Sequence, residues 1–267
     1  MVFDFFGDKK KVIIAMSHIG ALPGSPGYDS KGGMKQLIDD VLSDIEKLQE
    51  GGVDAIMFGN ENDRPYELKA PQEGIAAMTA IVQAAKPHLK VPFGVNYLWD
   101  PVASIAVGAA TGAKFVREIF TGVFASDMGV WAPDCAAAAR LRSKLDRKDM
   151  KMLFNINAEF AHSLDQRPLE LRASSAVFSS QADAILVSGP LTGQAVDQSG
   201  LRAVCDAVSD VPVFANTGVN KDNVTDILSC ASGVVIGTHF KYEGDTWNKV
   251  DSERVKRFME IVETIRG

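Results

Sequence analysis

Several short apolar runs in this chain are followed at once by side chains that can move protons or hold oxygen. His18 comes just after Lys11–Met16. Asn60, Glu61 and Asp63 follow Val53–Phe58, and Asn96 and Asp100 close and follow Val91–Asn96. Arg117 and Glu118 lie within Ala113–Ile119. Asn157, Glu159 and His162 end and follow Met150–Asn157, and Ser188 follows Asp183–Val187. An imidazole near a carboxylate can take a proton from a substrate and return it. That chemistry makes His18, Glu61, Asp63, Arg117, Asn157 and His162 candidate catalytic residues, with Arg117 and the asparagines orienting the substrate. Asn60, Asn96 and Asp100 are suited to binding substrate hydroxyls. A second constellation is made of backbone. Ser188-Gly189, Thr192-Gly193, Thr217-Gly218-Val219 and Gly237-Thr238 are turns at or beyond the ends of apolar runs. Such turns can present N–H groups, and Ser188 or Thr192 a hydroxyl, to one phosphate.

Each of these residues also has a structural reading. His18 could hydrogen-bond the Gly/Pro-rich loop that follows it. Asp63 could cap the turn before Pro65, and Asp100 could cap a helix starting at Pro101. Arg117 could be a buried counter-ion, His162 could be exposed and inert, and glycine after a strand is ordinary turn chemistry. His88 and His239 read as structural. Side chains alternate along a strand, so only one of Arg117 and Glu118 is expected to face inward. There is no GxSxG and no cysteine beside a histidine, so no nucleophile motif is present. No histidine pair has metal-ligand spacing. No motif requires a cofactor, although Glu61, Asp63, Glu118 and Glu159 could hold one Mg²⁺ through oxygens.

The elements that must position these groups alternate along the chain. Helices are expected over Gly33–Glu50, Gln72–Ala85, Pro101 to Thr111, Pro133–Leu145, Pro168–Ser179, Gln198–Val208, Asn220–Ser229 and Asp251–Ile265. The first carries the apolar stripe Leu37, Val41, Ile45 and Leu48. Between them run the apolar segments above, followed by Val211–Asn216 and Gly233–Ile236. Eight strand–helix units with no compositional linker imply parallel pairing and a single-domain (β/α)₈ TIM barrel of the α/β class across residues 1–267. An open doubly wound sheet is the weaker alternative, because no GxGxxG follows the first strand. Thr121–Trp131 is long for its place and reads as a lid or contact surface. Phe3, Phe5 and Phe6, in an extension over residues 1–10, could plug the barrel bottom or a partner surface.

The net charge of −6 argues against general affinity for nucleic acid or anionic membranes. Three scattered cysteines without a CxxC suggest reduced thiols and a cytoplasmic setting. No apolar run is long enough to span a membrane, and none near the N-terminus has signal-peptide length. A homo-oligomer is compatible with this composition.

Over nearly its whole length the chain resembles the BtpA/SgcQ family. The matching stretches are Met16-Ser17-His18 with Leu22-Pro23-Gly24-Ser25-Pro26, Gly52–Ile56, and Gly112–Arg117 with Thr121-Gly122. Ser188-Gly189, Thr192-Gly193, Thr217-Gly218-Val219 and Gly237-Thr238 with Lys241 complete the set. The resemblance implies a barrel of the ribulose-phosphate-binding type, whose relatives hold a substrate phosphate on the loops after strands 7 and 8. One branch of the family is associated with photosystem I biogenesis, and others with sugar-utilisation settings. Trp99-Asp100 stands where the family usually has Asn-Asp. Ala161-His162 stands where it tends to have Lys-His, which removes a Schiff-base lysine. Two functions follow as expectations. One is an enzyme acting by acid–base chemistry on a phosphorylated sugar or related metabolite. The other is a non-catalytic assembly factor. A carboxylate from Asn60–Asp63 is expected to pair with Arg117 and share its ligand.

Overall fold

A computed structural model describes residues 2–267. Met1 lies outside the described residues. The strands are β1 (Val12–His18), β2 (Ala55–Gly59), β3 (Phe93–Asn96), β4 (Phe115–Glu118), β5 (Phe124–Ser126), β6 (Gly129–Trp131), β7 (Lys151–Asn155), β8 (Ala161–Ser163), β9 (Ala184–Ser188), β10 (Val213–Asn216) and β11 (Gly233–Ile236). Eight of them, in the order β1-β2-β3-β4-β7-β9-β10-β11, close into a parallel barrel. The helices are α1 (Gly33–Glu50), α2 (Gln72–Ala85), α3 (Pro101–Thr111), α4 (Cys135–Lys144), α5 (Leu169–Ser180), α6 (Gln198–Ala207), α7 (Val224–Cys230) and α8 (Ser252–Arg266).

Strand alternation divides the apolar residues into two layers. Val12, Ile14, Met16, Met57, Leu153, Leu186 and Phe214 fill the barrel interior. Ile13, Ala15, Ile56, Val95, Val116 and Val234 face the surrounding helices. The interior is tightly filled. A Cβ on Gly94 would lie 2.2 Å from the Phe115 ring, so glycine there admits the aromatic. Below it, Phe3 and Phe6 are buried, and Phe5 stacks on Phe115 at 6.1 Å between centroids. The N-terminal aromatics therefore plug the bottom of the barrel.

Several boundaries shift by one to four residues. β7 stops at Asn155 rather than at the expected Asn157. The helix after β10 starts at Val224, not Asn220. Asn220 instead belongs to a turn in which its side chain accepts from Asp222 N–H and its own N–H donates to Asn223. The Thr121–Trp131 segment is a hairpin, β5–β6, and β8 joins it to make a small antiparallel sheet. Phe124 and Trp131 from this sheet pack with Trp99 and Leu98.

Candidate functional site at the barrel mouth

The next inward position after the last inward apolar one, two residues on, is what builds the mouth. On β1 the inward series runs Val12, Ile14, Met16, His18; on β4 it runs Phe115, Arg117; on β7, Leu153, Asn155; on β9, Leu186, Ser188; on β10, Phe214, Asn216. Polar side chains thus replace apolar ones at one level of the barrel, at the carboxyl ends of the strands. Above them lies a cavity of about 240 Å³, lined among others by His18, Glu61, Arg117, Glu118, Asn155, Glu159 and Asn216.

Arg117 spans this layer. It is buried, donating from Nη1 to Asn96 Oδ1 at 2.9 Å and from Nη2 to Asn216 Oδ1 at 3.3 Å. Asn96 donates onward to Glu118 Oε1 at 3.0 Å. Asn216 donates to Glu159 Oε1 at 3.3 Å and to Ser188 Oγ at 2.8 Å. Thr192 closes the chain by donating to Glu159 Oε2 at 2.7 Å. The expected carboxylate–guanidinium pair does not form: among the described residues Arg117 has no ion-pair partner, and two asparagines hold it instead. Arg117 and Glu118 both reach the cavity wall. Arg117 follows the inward alternation, whereas Glu118 ends its strand and its carboxylate turns to accept from Trp99 and Ile119 N–H.

Two glycines make room for an acid–base pair. A Cβ on Gly59 would lie 2.6 Å from both carboxylate oxygens of Glu61, and one on Gly237 would lie 3.0 Å from the His18 ring. His18 Nε2 and Glu61 Oε1 are 3.9 Å apart, beyond direct hydrogen-bond distance. Burial, then the nearby charges of Lys241 and Arg117, lower the His18 pKa to about 3, so the imidazole is neutral. Burial pushes Glu61 up to about 7 and Glu118 up to about 7, with Arg117 opposing both shifts. Burial also raises Glu159. At neutral pH the mouth holds a neutral imidazole, which can donate an N–H, beside a carboxyl group near its own midpoint, which can take or give a proton. His18 Nδ1, Glu61 Oε2, Trp99 Nε1, Arg117 Nε and Asn155 Oδ1 are buried without a hydrogen-bond partner, and all five residues line this cavity. Unsatisfied buried groups gathered round one space mark it as built for a ligand.

Other candidates from the sequence lie off this wall. Asp63 accepts from Leu22 N–H at 2.7 Å and from Asn60 Nδ2 at 3.0 Å, while Asn60 Oδ1 accepts from Leu98 N–H at 2.7 Å. Together they lash the first three loops to one another. Asp100 caps α3, accepting from Val102 and Ala103 N–H, and its other oxygen accepts from Ala70 N–H. Asn157 lies beyond its strand and pairs with the backbone N–H and C=O of Ser188, extending the sheet edge. His162 is exposed on β8. Asn96 is fully buried behind Arg117. The sequence reading missed Asn155 and Asn216 because it did not extend the inward alternation to the ends of β7 and β10. It also set aside His239, which stands on the cavity wall with its pKa lowered to about 4 by burial and by Arg254.

The glycine turns divide in the same way. Ser188 Oγ accepts from Asn155 and Asn216, and Gly189 N–H donates to Thr217 Oγ1, so these two groups are occupied away from the cavity. Thr192, Gly193, Thr217, Gly218, Val219, Gly237 and Thr238 line the cavity. The backbone N–H groups of Thr217, Gly218, Val219 and Gly237 find no acceptor among the described residues. Thr217 adopts φ 71°, a conformation that costs a non-glycine residue about 1 kcal/mol or more, and its hydroxyl is held by Gly189. Among the described residues no three of His, Cys, Asp and Glu come together in a way that could hold a metal ion. In particular Asp63 is taken up by Leu22 N–H and Asn60 Nδ2 and does not line the cavity that Glu61, Glu118 and Glu159 line. No helix among the described residues is long and apolar enough to cross a membrane.

Eight parallel strands closed round an apolar interior, with a polar mouth at their carboxyl ends, define a TIM-barrel protein. The chain belongs to the BtpA family, whose sequence profile matches residues 9–264. It is 46% identical over 257 residues to the sgc region protein SgcQ of Escherichia coli K12, covering 96% of each chain. It is 28% identical over 253 residues to the photosystem I biogenesis protein BtpA of Synechocystis, covering 94% of this chain and 87% of that one. Among solved structures, the native KDPGal structure superposes with a TM-score of 0.59 at 17% identity, covering 100% of this chain and 99% of that one. Phosphoribosyl anthranilate isomerase from Thermus thermophilus superposes with a TM-score of 0.57 at 11% identity, covering 96% of this chain and 100% of that one. These likenesses are to the barrel itself.

Proposed function

We propose that this barrel is an enzyme that binds a small phosphorylated sugar or related metabolite in its mouth and moves a proton on it. The observation that carries this reading is the neutral His18 imidazole 3.9 Å from Glu61, whose carboxyl is near its midpoint at neutral pH, in the same cavity as Arg117. Glu61, in its ionised form, takes a proton from a substrate carbon. The electron pair left behind moves onto an adjacent carbonyl oxygen, which the Arg117 guanidinium and an N–H of the neutral His18 imidazole stabilise. The protonated Glu61 then returns the proton at the same or a neighbouring carbon, which restores the starting state. Isomerisation and the bond-forming direction of an aldol reaction share this first step. The unused N–H groups after β10 and β11 would take the phosphate. The name of the Synechocystis relative favours a second reading, in which the barrel serves as an assembly factor without catalysis.

A panel of phosphorylated sugars, screened by thermal shift and then incubated with protein in D₂O, separates the two. The enzyme reading expects saturable stabilisation by at least one compound and deuterium incorporation at carbon. Incorporation should be lost in His18→Asn and Glu61→Gln while both variants still fold. Stabilisation with no exchange, or no stabilisation by any member, counts for the assembly reading.

A further inference from the structure

We propose that Arg254, in the first turn of α8, is the cation that neutralises the phosphate of a ligand held by the loops after β10 and β11. The proposal rests on the phosphorylated-ligand reading above and adds the residue that reading lacks. The cavity wall is electrically divided. On the side of strands β2 to β4 and the loop after β7 stand Arg117 and the carboxyls of Glu61, Glu118 and Glu159. Around the ends of β10 and β11 the wall carries the unused N–H groups of Gly218, Val219 and Gly237, and Arg254 lines the same cavity. Backbone amides supply dipoles but no net charge, so a phosphate dianion bound by amides alone stays uncompensated.

Arg254 is held ready for that role. Its Nε donates to His239 O at 2.7 Å, and its Nη2 lies 3.3 Å from His239 Nδ1. Gly244 admits it, since a Cβ there would lie 3.2 Å from Nη2. Nη1 has no hydrogen-bond partner, and no carboxylate pairs with Arg254, among the described residues. The other basic groups near this wall are already committed. Lys241 is buried against Asp44 at 3.0 Å, and His239 is held neutral by burial and by Arg254 itself. The position of Arg254 on its helix makes the same point. A cation in the first turn opposes the helix dipole, whereas its neighbour Glu253 suits it. An anion in front of Arg254 removes that conflict and gives the guanidinium a two-pronged acceptor. The ligand is thereby oriented, phosphate toward α8 and reacting carbon toward His18 and Glu61.

Inorganic phosphate is the probe. Wild-type protein, Arg254→Met, Arg254→Lys and Arg257→Met, the last an exposed arginine on the same helix, are titrated by thermal melting and by amide chemical shifts of Gly218, Val219 and Gly237. The expected result is saturable binding by wild type and by Arg257→Met. Arg254→Met should bind at least about tenfold more weakly, and Arg254→Lys should fall between because it keeps charge but not the fork. Equal phosphate binding by wild type and Arg254→Met overturns the assignment of Arg254 and leaves the phosphate reading standing. No saturable response in wild type overturns the phosphate reading itself. Should Arg254→Met fail to fold, Arg254→Lys decides: weaker binding supports the assignment and unchanged binding overturns it.

Discussion

Replacing Lys241 by methionine strands a charge in the interior, and the consequence can be worked out. The Lys241 ammonium and the Asp44 carboxylate are 3.0 Å apart, with side-chain exposures of 2% and 5%. Asp44 also accepts from Val250 N–H at 3.0 Å, so the pair ties α1 to the loop between β11 and α8. Methionine fills most of the lysine's volume but leaves the carboxylate with one donor. Breaking a buried pair from one side costs about 3–5 kcal/mol. Unfolding entropy of about 2.1 cal/mol/K per residue over the 267 residues comes to about 0.56 kcal/mol/K, so the melting temperature should fall by about 5–9 °C. Asp44→Asn in the same background removes the stranded charge while keeping an oxygen for Val250, and should recover most of the loss. Calorimetry of the two single variants, the double variant and wild type measures both effects. The variant also has a local signature. Lys241 is the second cause of the low His18 pKa, so NMR titration should show that pKa rising, though burial still holds it below the ordinary value. A loss below about 1 kcal/mol in Lys241→Met, or a double variant no more stable than it, would refute the reasoning.

Further outcomes are expected from the mouth. Glu61 is raised from 4.5 to about 7, so the stability it contributes is whole below pH 4.5 and is lost as the pH rises through about 7. Glu61→Gln, which cannot ionise, should melt near wild type at pH 4.5 and above it at pH 8. A wild-type melting curve that does not change relative to this variant over that range would contradict the buried-carboxyl account. His18 has the opposite sign: its depressed pKa contributes stability above pH 6.5 that disappears as the pH falls toward about 3, and a neutral His18→Asn should show a smaller acid loss. Gly218→Ala should destabilise the protein as well as weaken any phosphate site. Its Cβ would sit 2.2 Å from the backbone at Gln194 and Ala195, at φ 62°, so an unchanged melting temperature would contradict the observed loop contact. Gly59→Ala should displace the Glu61 carboxylate with little effect on strand pairing, seen as a shifted Glu61 titration in a protein that still folds.

Much of the fold was legible because it follows from local rules. Apolar runs of strand length alternating with amphipathic helices leave few topologies, and α1, α2 and β11 have the bounds their periodicity predicts. Asp100 was readable as a cap because it precedes Pro101, and the structure finds both of its capping bonds. Site membership was less legible, since it depends on which face each side chain takes. A single residue, Ile156, separates Asn155, inside the barrel, from Asn157, which is spent on the Ser188 backbone. The strand ends between them, and nothing in the residue types marks that end.

The sequence by itself determined the barrel, its single run of strand–helix units and the face on which polar side chains collect, because hydrophobic periodicity and turn chemistry act over a few residues. Tertiary structure decided which of those polar groups meet. Asn60 and Asp63 go to loop bracing. Arg117 is held by Asn96 and Asn216, which lie 21 and 99 residues away in the chain. Arg254, from the last helix, reaches the same cavity as His18 from the first strand. Barrel closure sets β11 beside β1, and only that long-range pairing brings the two ends of the chain to one site. The electrostatics came with it. The same burial that drives His18 down and Glu61 up exists only once eight strands have excluded water from the mouth.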